Sequence, residues 1–231
     1  MFYELRHYDC HSSLALKRLT SRFGDHTTKI WARIGIEPVG FWPVLVGAHQ
    51  PRLTYILAWE DLAQREALWA QFVADPAWKT AVAASRAEIG GDPVRTITSS
   101  ILSPLSFSHL PRQDNQPARL ARGVFELRTY KFDANAKLGK TADWFRDHCL
   151  PLFEAHGVFA MGFWTTYIGA SPELTYMLVF ESLAHREQAW AAVYTDPRWL
   201  QIQQELYTEG VSPIFGMDTA LMRGTDFSGW S

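Results

Sequence analysis

An α+β fold of two tandem ferredoxin-like units, each ordered β-α-β-β-α-β and the pair forming an α/β barrel, follows from three observations on this 231-residue chain. The first is an internal duplication. Tyr3-Glu4-Leu5-Arg6-His7-Tyr8 returns as Phe125-Glu126-Leu127-Arg128-Thr129-Tyr130, an offset of 126 − 4 = 122. The same offset carries Phe23-Gly24-Asp25-His26 onto Phe145-Arg146-Asp147-His148, and Gly40-Phe41-Trp42 onto Gly162-Phe163-Trp164. One residue is then lost in a loop. An offset of 175 − 54 = 121 places Thr54-Tyr55 on Thr175-Tyr176, Trp69 on Trp190, and Asp75-Pro76 with Trp78 on Asp196-Pro197 with Trp199. The second observation is the order of hydrophobic periods, which switches between strand and helix in the same sequence within each repeat. The third is geometric. A four-stranded antiparallel sheet with helices on one side leaves its other face bare, and two such units can cover each other sheet to sheet.

Residues 2–8 alternate and begin with β-favouring aromatics, so they form a strand. Tyr3, Leu5 and His7 lie on one face of it, and Glu4, Arg6 and Tyr8 on the other. Ser12 or Ser13 caps a helix running to about Arg33, stopped by Gly35. Its apolar stripe is Leu16, Leu19, Phe23 and Ile30, and the helical period puts His26 inside that stripe. Residues 39–46 and 53–60 are the second and third strands, separated by turn material. Asp61, with Gln64 three residues on, opens the next helix, which Asp75-Pro76 breaks before a shorter continuation over 78–87. Residues 94–102 close the unit. The second unit repeats the order with strands at 124–130, 161–168, 174–181 and 214–222, a helix near 135–156 and another from Ser182. Pro151 inside the first of these helices predicts a kink. The units are thus 1–105 and 123–223, joined by a Pro- and Gln-bearing linker at 106–122, and residues 224–231 read as a loose tail.

Composition narrows the function. With 47% hydrophobic residues the chain can bury a sizeable core. Twenty-two basic against 24 acidic residues leave a net charge of −2, which invites neither nucleic acid nor an acidic membrane surface. No apolar run reaches the roughly 20 residues that span a bilayer, so membrane insertion is not expected. The first strand begins almost at Met1, which reads as no signal or transit peptide. Cys10 and Cys149 do not correspond under the duplication and stand in no CxxC spacing, as free thiols of a cytoplasmic protein would.

The ELR-x-Y strand, the Gly-Phe-Trp strand and the Asp-Pro-x-Trp break after an Arg-bearing helix resemble the NIPSNAP family, within the wider group of dimeric α/β barrels. The resemblance covers both halves outside the linker and tail. It implies the barrel fold and self-association, so a homo-oligomer is expected. It implies no single reaction, since relatives include cofactor-free monooxygenases, haem proteins, isomerases and ligand-binding proteins.

Among eight histidines only His26 and His148 repeat. On a helix face that meets the sheet, each is a candidate acid–base group or a core histidine held by a neighbour. Glu4, Arg6 and Tyr8, mirrored by Glu126, Arg128 and Tyr130, put three polar groups on one strand face, where they must be paired or wet. They read either as a site, with Arg binding an anion or carbonyl beside Glu and Tyr, or as a buried pair fixing the halves. Trp42 and Trp164 are core or pocket wall. His7 and His11 have a metal-like separation but no third ligand, so no metal site is expected. No nucleotide-binding glycine loop or GxSxG is present, which fits a protein needing no cofactor, although a haem held through one histidine leaves no motif. The expectation is a small-molecule enzyme of the cofactor-independent monooxygenase, isomerase or lyase type, acting on an apolar or carbonyl-bearing metabolite. There His26 or His148 moves a proton, Arg6 or Arg128 stabilises charge, and Glu4, Tyr8, Trp42, Glu126, Tyr130 and Trp164 contact substrate. The alternatives are a non-catalytic ligand-binding or scaffold protein and a haem-binding barrel.

Overall fold

The computed structural model describes residues 1–108, 110, 120, 122–135, 138–206 and 212–229. Most of the linker expected at 106–122 therefore lies outside the described residues. By contacts the chain divides into Met1–Leu102 with Arg223–Ser231, and Ser103–Met222. Each unit carries one four-stranded sheet.

Unit 1 contains β1 (Phe2–Cys10), α1 (Ser13–Arg22), α2 (Thr28–Ile34), β2 (Glu37–Val46), β3 (Arg52–Trp59), α3 (Leu62–Ala74), α4 (Pro76–Ile89) and β4 (Val94–Pro104). β1 pairs antiparallel with both β3 and β4, and β3 pairs with β2, giving the order 4-1-3-2 that a split β-α-β unit requires. Unit 2 holds β5 (Val124–Phe132), α5 (Leu138–Trp144), α6 (Leu150–Ala155), β6 (Phe159–Ile168), β7 (Glu173–Phe180), α7 (Leu183–Thr195), α8 (Pro197–Leu206) and β8 (Ile214–Arg223). There β7 pairs with β5 and β6 in the matching registers.

Local chemistry sets the boundaries. Ser12 Oγ accepts from the Ala15 N–H at the head of α1, and Gly35 ends α2 at φ 88°. Asp61 and Ser182 cap α3 and α7 through the N–H groups of Gln64 and His185. Asp75 accepts from Ala77 and Trp78 N–H, and Pro76 follows at the first position of α4, where no donor is needed. In the Gly-Phe-Trp strands the indoles press against their own glycines. A Cβ on Gly40 would stand 2.5 Å from the Trp42 ring, and one on Gly162 would stand 2.6 Å from Trp164.

Three expectations need correction. The long first helix is interrupted by a π turn at Phe23–Thr27, and unit 2 has its equivalent at Phe145–Cys149. Both turns fall on the repeated Phe-x-Asp-His. The Thr28 N–H reaches back to the Phe23 carbonyl and Thr27 Oγ1 donates to the Arg22 carbonyl, so the widened turn leaves these groups satisfied. The wider turn moves the inward position from 26 to 27: Thr27 is fully buried and His26 is exposed. Pro151 does not create the break in unit 2. The same π turn forms in unit 1 with Lys29 at the matching place (151 − 122 = 29), and Pro151 sits in the first turn of α6, where it costs no hydrogen bond.

The described part of the tail is packed, not loose. Ser228 Oγ accepts from the Phe41 N–H at 2.9 Å, the Thr225 N–H donates to the Phe41 carbonyl at 3.0 Å, and the Phe227 ring lies against Phe41 and over Gly24.

Candidate functional site

The even-numbered residues of β1 face the helices, because Tyr8 packs edge-on against Phe23 (6.0 Å) and Tyr55 (5.2 Å) in the helix–sheet core. That places Glu4 under α3, where Arg65 and Trp69 present the same face four residues apart. Glu4 is fully buried and holds six donor contacts. Oε1 accepts from Arg6 Nη1 (2.6 Å), Arg65 Nη2 (2.8 Å) and Ser99 Oγ (2.6 Å). Oε2 accepts from Arg65 Nε (2.8 Å), Trp59 Nε1 (3.1 Å) and Trp69 Nε1 (3.3 Å). Arg6 also donates to Tyr8 Oη (3.3 Å) and lies 4.8 Å from the Trp69 ring centre.

Unit 2 builds a reduced copy. Glu126, fully buried, accepts from Arg128 Nε (2.6 Å), Arg186 Nε (2.6 Å) and Nη2 (3.1 Å), and Trp190 Nε1 (3.1 Å). Arg128 stacks 4.0 Å from Trp190. Phe180 stands where unit 1 has Trp59 (180 − 59 = 121), so one indole donor is gone. Tyr176 Oη donates to Tyr130 Oη at 2.9 Å.

Burial would raise the pKa of Glu4, but hydrogen bonds from Arg65 and Ser99 and the charge of Arg6 outweigh it and bring it down to about 2. Glu126 is lowered in the same way, its burial overcome by Arg186, Arg128 and Trp190. Burial also works against the charge on Arg6 and Arg128, yet the neighbouring tyrosines and glutamates hold both guanidiniums above their ordinary value. A carboxylate so placed is ionised throughout the physiological range and has its lone pairs filled. It suits structural anchoring of strand to helix far better than proton transfer.

The sign of the pH effect follows. The folded-state value of about 2 lies below the reference 4.5, so the stabilisation is fully present above pH about 4.5 and is lost as pH falls toward 2. A lowering of that size is worth on the order of 3 kcal/mol. Thermal melts from pH 6 to 2 should show this acid limb, and Glu4→Gln should flatten it. An identical limb in the variant would assign acid sensitivity elsewhere.

The histidines are elsewhere. His26 lines a surface groove of about 250 Å³ with Asp25, Lys29, Ile30, Arg33 and Ala77, beside the start of α4. His148 lines the corresponding groove of about 200 Å³ with Asp147, Leu152, Arg198 and Glu205, and its Nε2 is 3.2 Å from Glu205 Oε2. Neither groove is lined by Glu4, Arg6, Tyr8 or their counterparts, so the structure separates the expected proton carrier from the expected charge stabiliser. Trp42 and Trp164 are fully buried and lie on the strand faces opposite Phe41 and Phe163, away from the glutamate clusters. Sequence reading missed Arg65 and Arg186 as partners of the glutamates. They correspond at 186 − 65 = 121, the offset already carried by Trp69 and Trp190.

The family model NIPSNAP matches residues 3–109 and again 125–229, nearly the whole length. The chain belongs to the NIPSNAP family. A NIPSNAP family protein of unknown function from Agrobacterium tumefaciens is 22% identical over 48% of this chain and 96% of its own, with a TM-score of 0.43. Over the full length the fold is similar to a candidate monooxygenase from Lactobacillus acidophilus, at 10% identity, covering 98% of this chain and 97% of that one with a TM-score of 0.60. Chlorite dismutase from Candidatus Nitrospira defluvii is similar at 9% identity over 98% and 91% with a TM-score of 0.54. No protein of curated function matches the sequence. The two full-length likenesses are likenesses of fold. Among its described residues, no helix is long and apolar enough to cross a membrane.

Proposed function

We propose that this NIPSNAP protein binds a small carbonyl- or carboxylate-bearing metabolite at its paired π-turn grooves, with His26 and His148 as the groups that meet it. In this reading Glu4, Arg6, Glu126 and Arg128 form the frame that holds strand to helix. One observation carries the reading. Asp25-His26 and Asp147-His148 face grooves in both units, where core packing asks for neither residue, and π turns recur at functional sites. Each imidazole shares its groove with a cationic side chain, Lys29 and Arg33 in one and Arg198 in the other, which suits an oxygen-rich ligand, Arg33 being shared with Asp75 and Arg198 with Asp196. Any acid–base chemistry then belongs to the histidines, with Arg33 or Arg198 in the charge-stabilising place first expected of Arg6 or Arg128. Saturation of Glu4 by six donors favours the scaffold alternative for the internal cluster, and the proposal adopts it there.

Fragment screening by amide-resolved NMR tests this. Small keto acids and carboxylates are expected to shift resonances around residues 25–33 and 147–152. The double variant His26→Ala/His148→Ala should lose those shifts while its melting temperature stays within the effect of surface substitutions, about 0.5 kcal/mol. Shifts confined to other parts of the chain, or unaltered in the double variant, would overturn the assignment. An absorbance spectrum after incubation with haemin separates the haem-binding alternative, which requires a Soret band.

A further inference from the structure

Arg22 is the last residue of α1, one place before the π turn, and is only 7% exposed. Its Nη1 donates to Ser85 Oγ of α4 at 2.8 Å, and its guanidinium lies 5.1 Å from the Trp78 ring centre. Its Nε is completely buried and, among the described residues, has no hydrogen-bond partner. Among the described residues no carboxylate comes within ion-pair distance of it. Asp92 is the acid whose field reaches it, but that side chain is taken by Arg86 Nε (3.1 Å) and Nη2 (2.6 Å) and by the Val94 N–H (3.0 Å). Arg128, as deeply buried, holds a glutamate at 2.6 Å, and Arg6, 13% exposed, holds one at the same distance although its Nε is likewise without a partner among the described residues. A guanidinium does not give up its proton under such pressure, so the charge stays and stays uncompensated. A single neutral hydroxyl and one aromatic face replace only part of the lost hydration.

Unit 2 solves the same position differently. Trp144 stands there (144 − 22 = 122), neutral, with Nε1 donating to the Ile202 carbonyl at 2.9 Å.

We propose that Arg22, with Ser85, anchors a site for a small monovalent anion between α1 and α4, present in unit 1 and absent from unit 2. The chemistry is that of chloride or a simple carboxylate. Arg22 supplies the charge and the unpartnered Nε–H, and Trp78 supplies the wall.

Thermal unfolding at constant ionic strength tests this, with sodium gluconate replaced stepwise by sodium chloride or sodium acetate up to about 100 mM. An anion bound only by the folded state, at about 100 times its dissociation constant, favours that state about 100-fold, which raises the melting temperature by several degrees. Arg22→Trp, which copies unit 2, is expected to melt no lower than the wild type in gluconate and to show no anion dependence. Broadening of the ³⁵Cl resonance by the wild type, reversed by acetate, is expected to vanish in Arg22→Trp and in Arg22→Met. A response to chloride alone indicates a halide-sized site, and a response to both indicates one that admits a carboxylate. Identical melting of the wild type in all three salts, or a variant that keeps the dependence, overturns the proposal.

Discussion

Glu4→Ala is expected to lower stability by about 3–5 kcal/mol, the range for removing one partner from a buried ionic cluster. For a chain of this size that is a fall in melting temperature on the order of 10 °C. The loss comes from what is left behind. Arg65, with 30% of its side chain exposed, can turn toward water, but Arg6, at 13%, remains under Trp69 and Tyr8 with no counter-charge. Ser99 and two indole N–H groups lose their acceptor as well. Glu126→Ala should cost less, because among the described residues that carboxylate serves neither a serine nor a second indole, although Arg128 is buried still more deeply at 7%. The pair Glu4→Met with Arg6→Met should recover part of the loss, since Arg65 can turn toward water and no deeply buried charge is then stranded. Thermal melts of these variants decide the matter. A Glu4→Ala protein melting within about 2 °C of the wild type would mean that the cluster does not hold β1 to α3.

Much of this architecture is readable because duplication turns a single sequence into two independent samples. Strand alternation, the Ser12 and Asp61 caps and the Asp75-Pro76 break are local signals, and each appears where local chemistry puts it. The grouping of Glu4, Arg6 and Tyr8 is likewise a strand periodicity. What could not be read was the direction of that face, since Tyr3 and Leu5 on one face and Glu4 on the other are all buried, and apolar alternation no longer marks one as inside. The misplacement of His26 has a different origin. A stripe drawn at 3.6 residues per turn assumes an unbroken α-helix, and the π turn puts Thr27 instead of His26 on the buried face while Ile30 keeps its place. Arg65 escaped notice because exposed-looking arginines are common on helices. Only the tertiary approach of α3 to β1 gives it a carboxylate. The tail failed for compositional reasons. Gly, Ser, Asp and Thr around one Phe and one Trp look like loose chain, yet Phe227-Ser228 repeats Phe107-Ser108 at an offset of 228 − 108 = 120.

That last repeat carries the second large prediction. Removing residues 224–231 is expected to cost roughly 3 kcal/mol, although no strand or helix of the fold is touched. β2 loses the acceptor for its Phe41 N–H and the donor to its Phe41 carbonyl, at a residue that is only 1% exposed. Gly24 and Phe41 lose the ring of Phe227, whose centroid is 5.2 Å from that of Phe41. Ser228→Ala should take away the hydroxyl alone and cost about 1 kcal/mol, the usual worth of one such bond. Unit 2 supplies the control. The Phe163 N–H donates to Ser108 Oγ at 2.8 Å and the Phe163 carbonyl accepts from the Leu105 N–H at 3.1 Å, with the Phe107 ring 5.4 Å away. Ser108→Ala should therefore match Ser228→Ala to within a few tenths of a kcal/mol, and the two should add, because they act in separate cores. Urea titrations of the four proteins measure this. A truncated chain with the midpoint of the full-length protein would mean that β2 holds its place unaided.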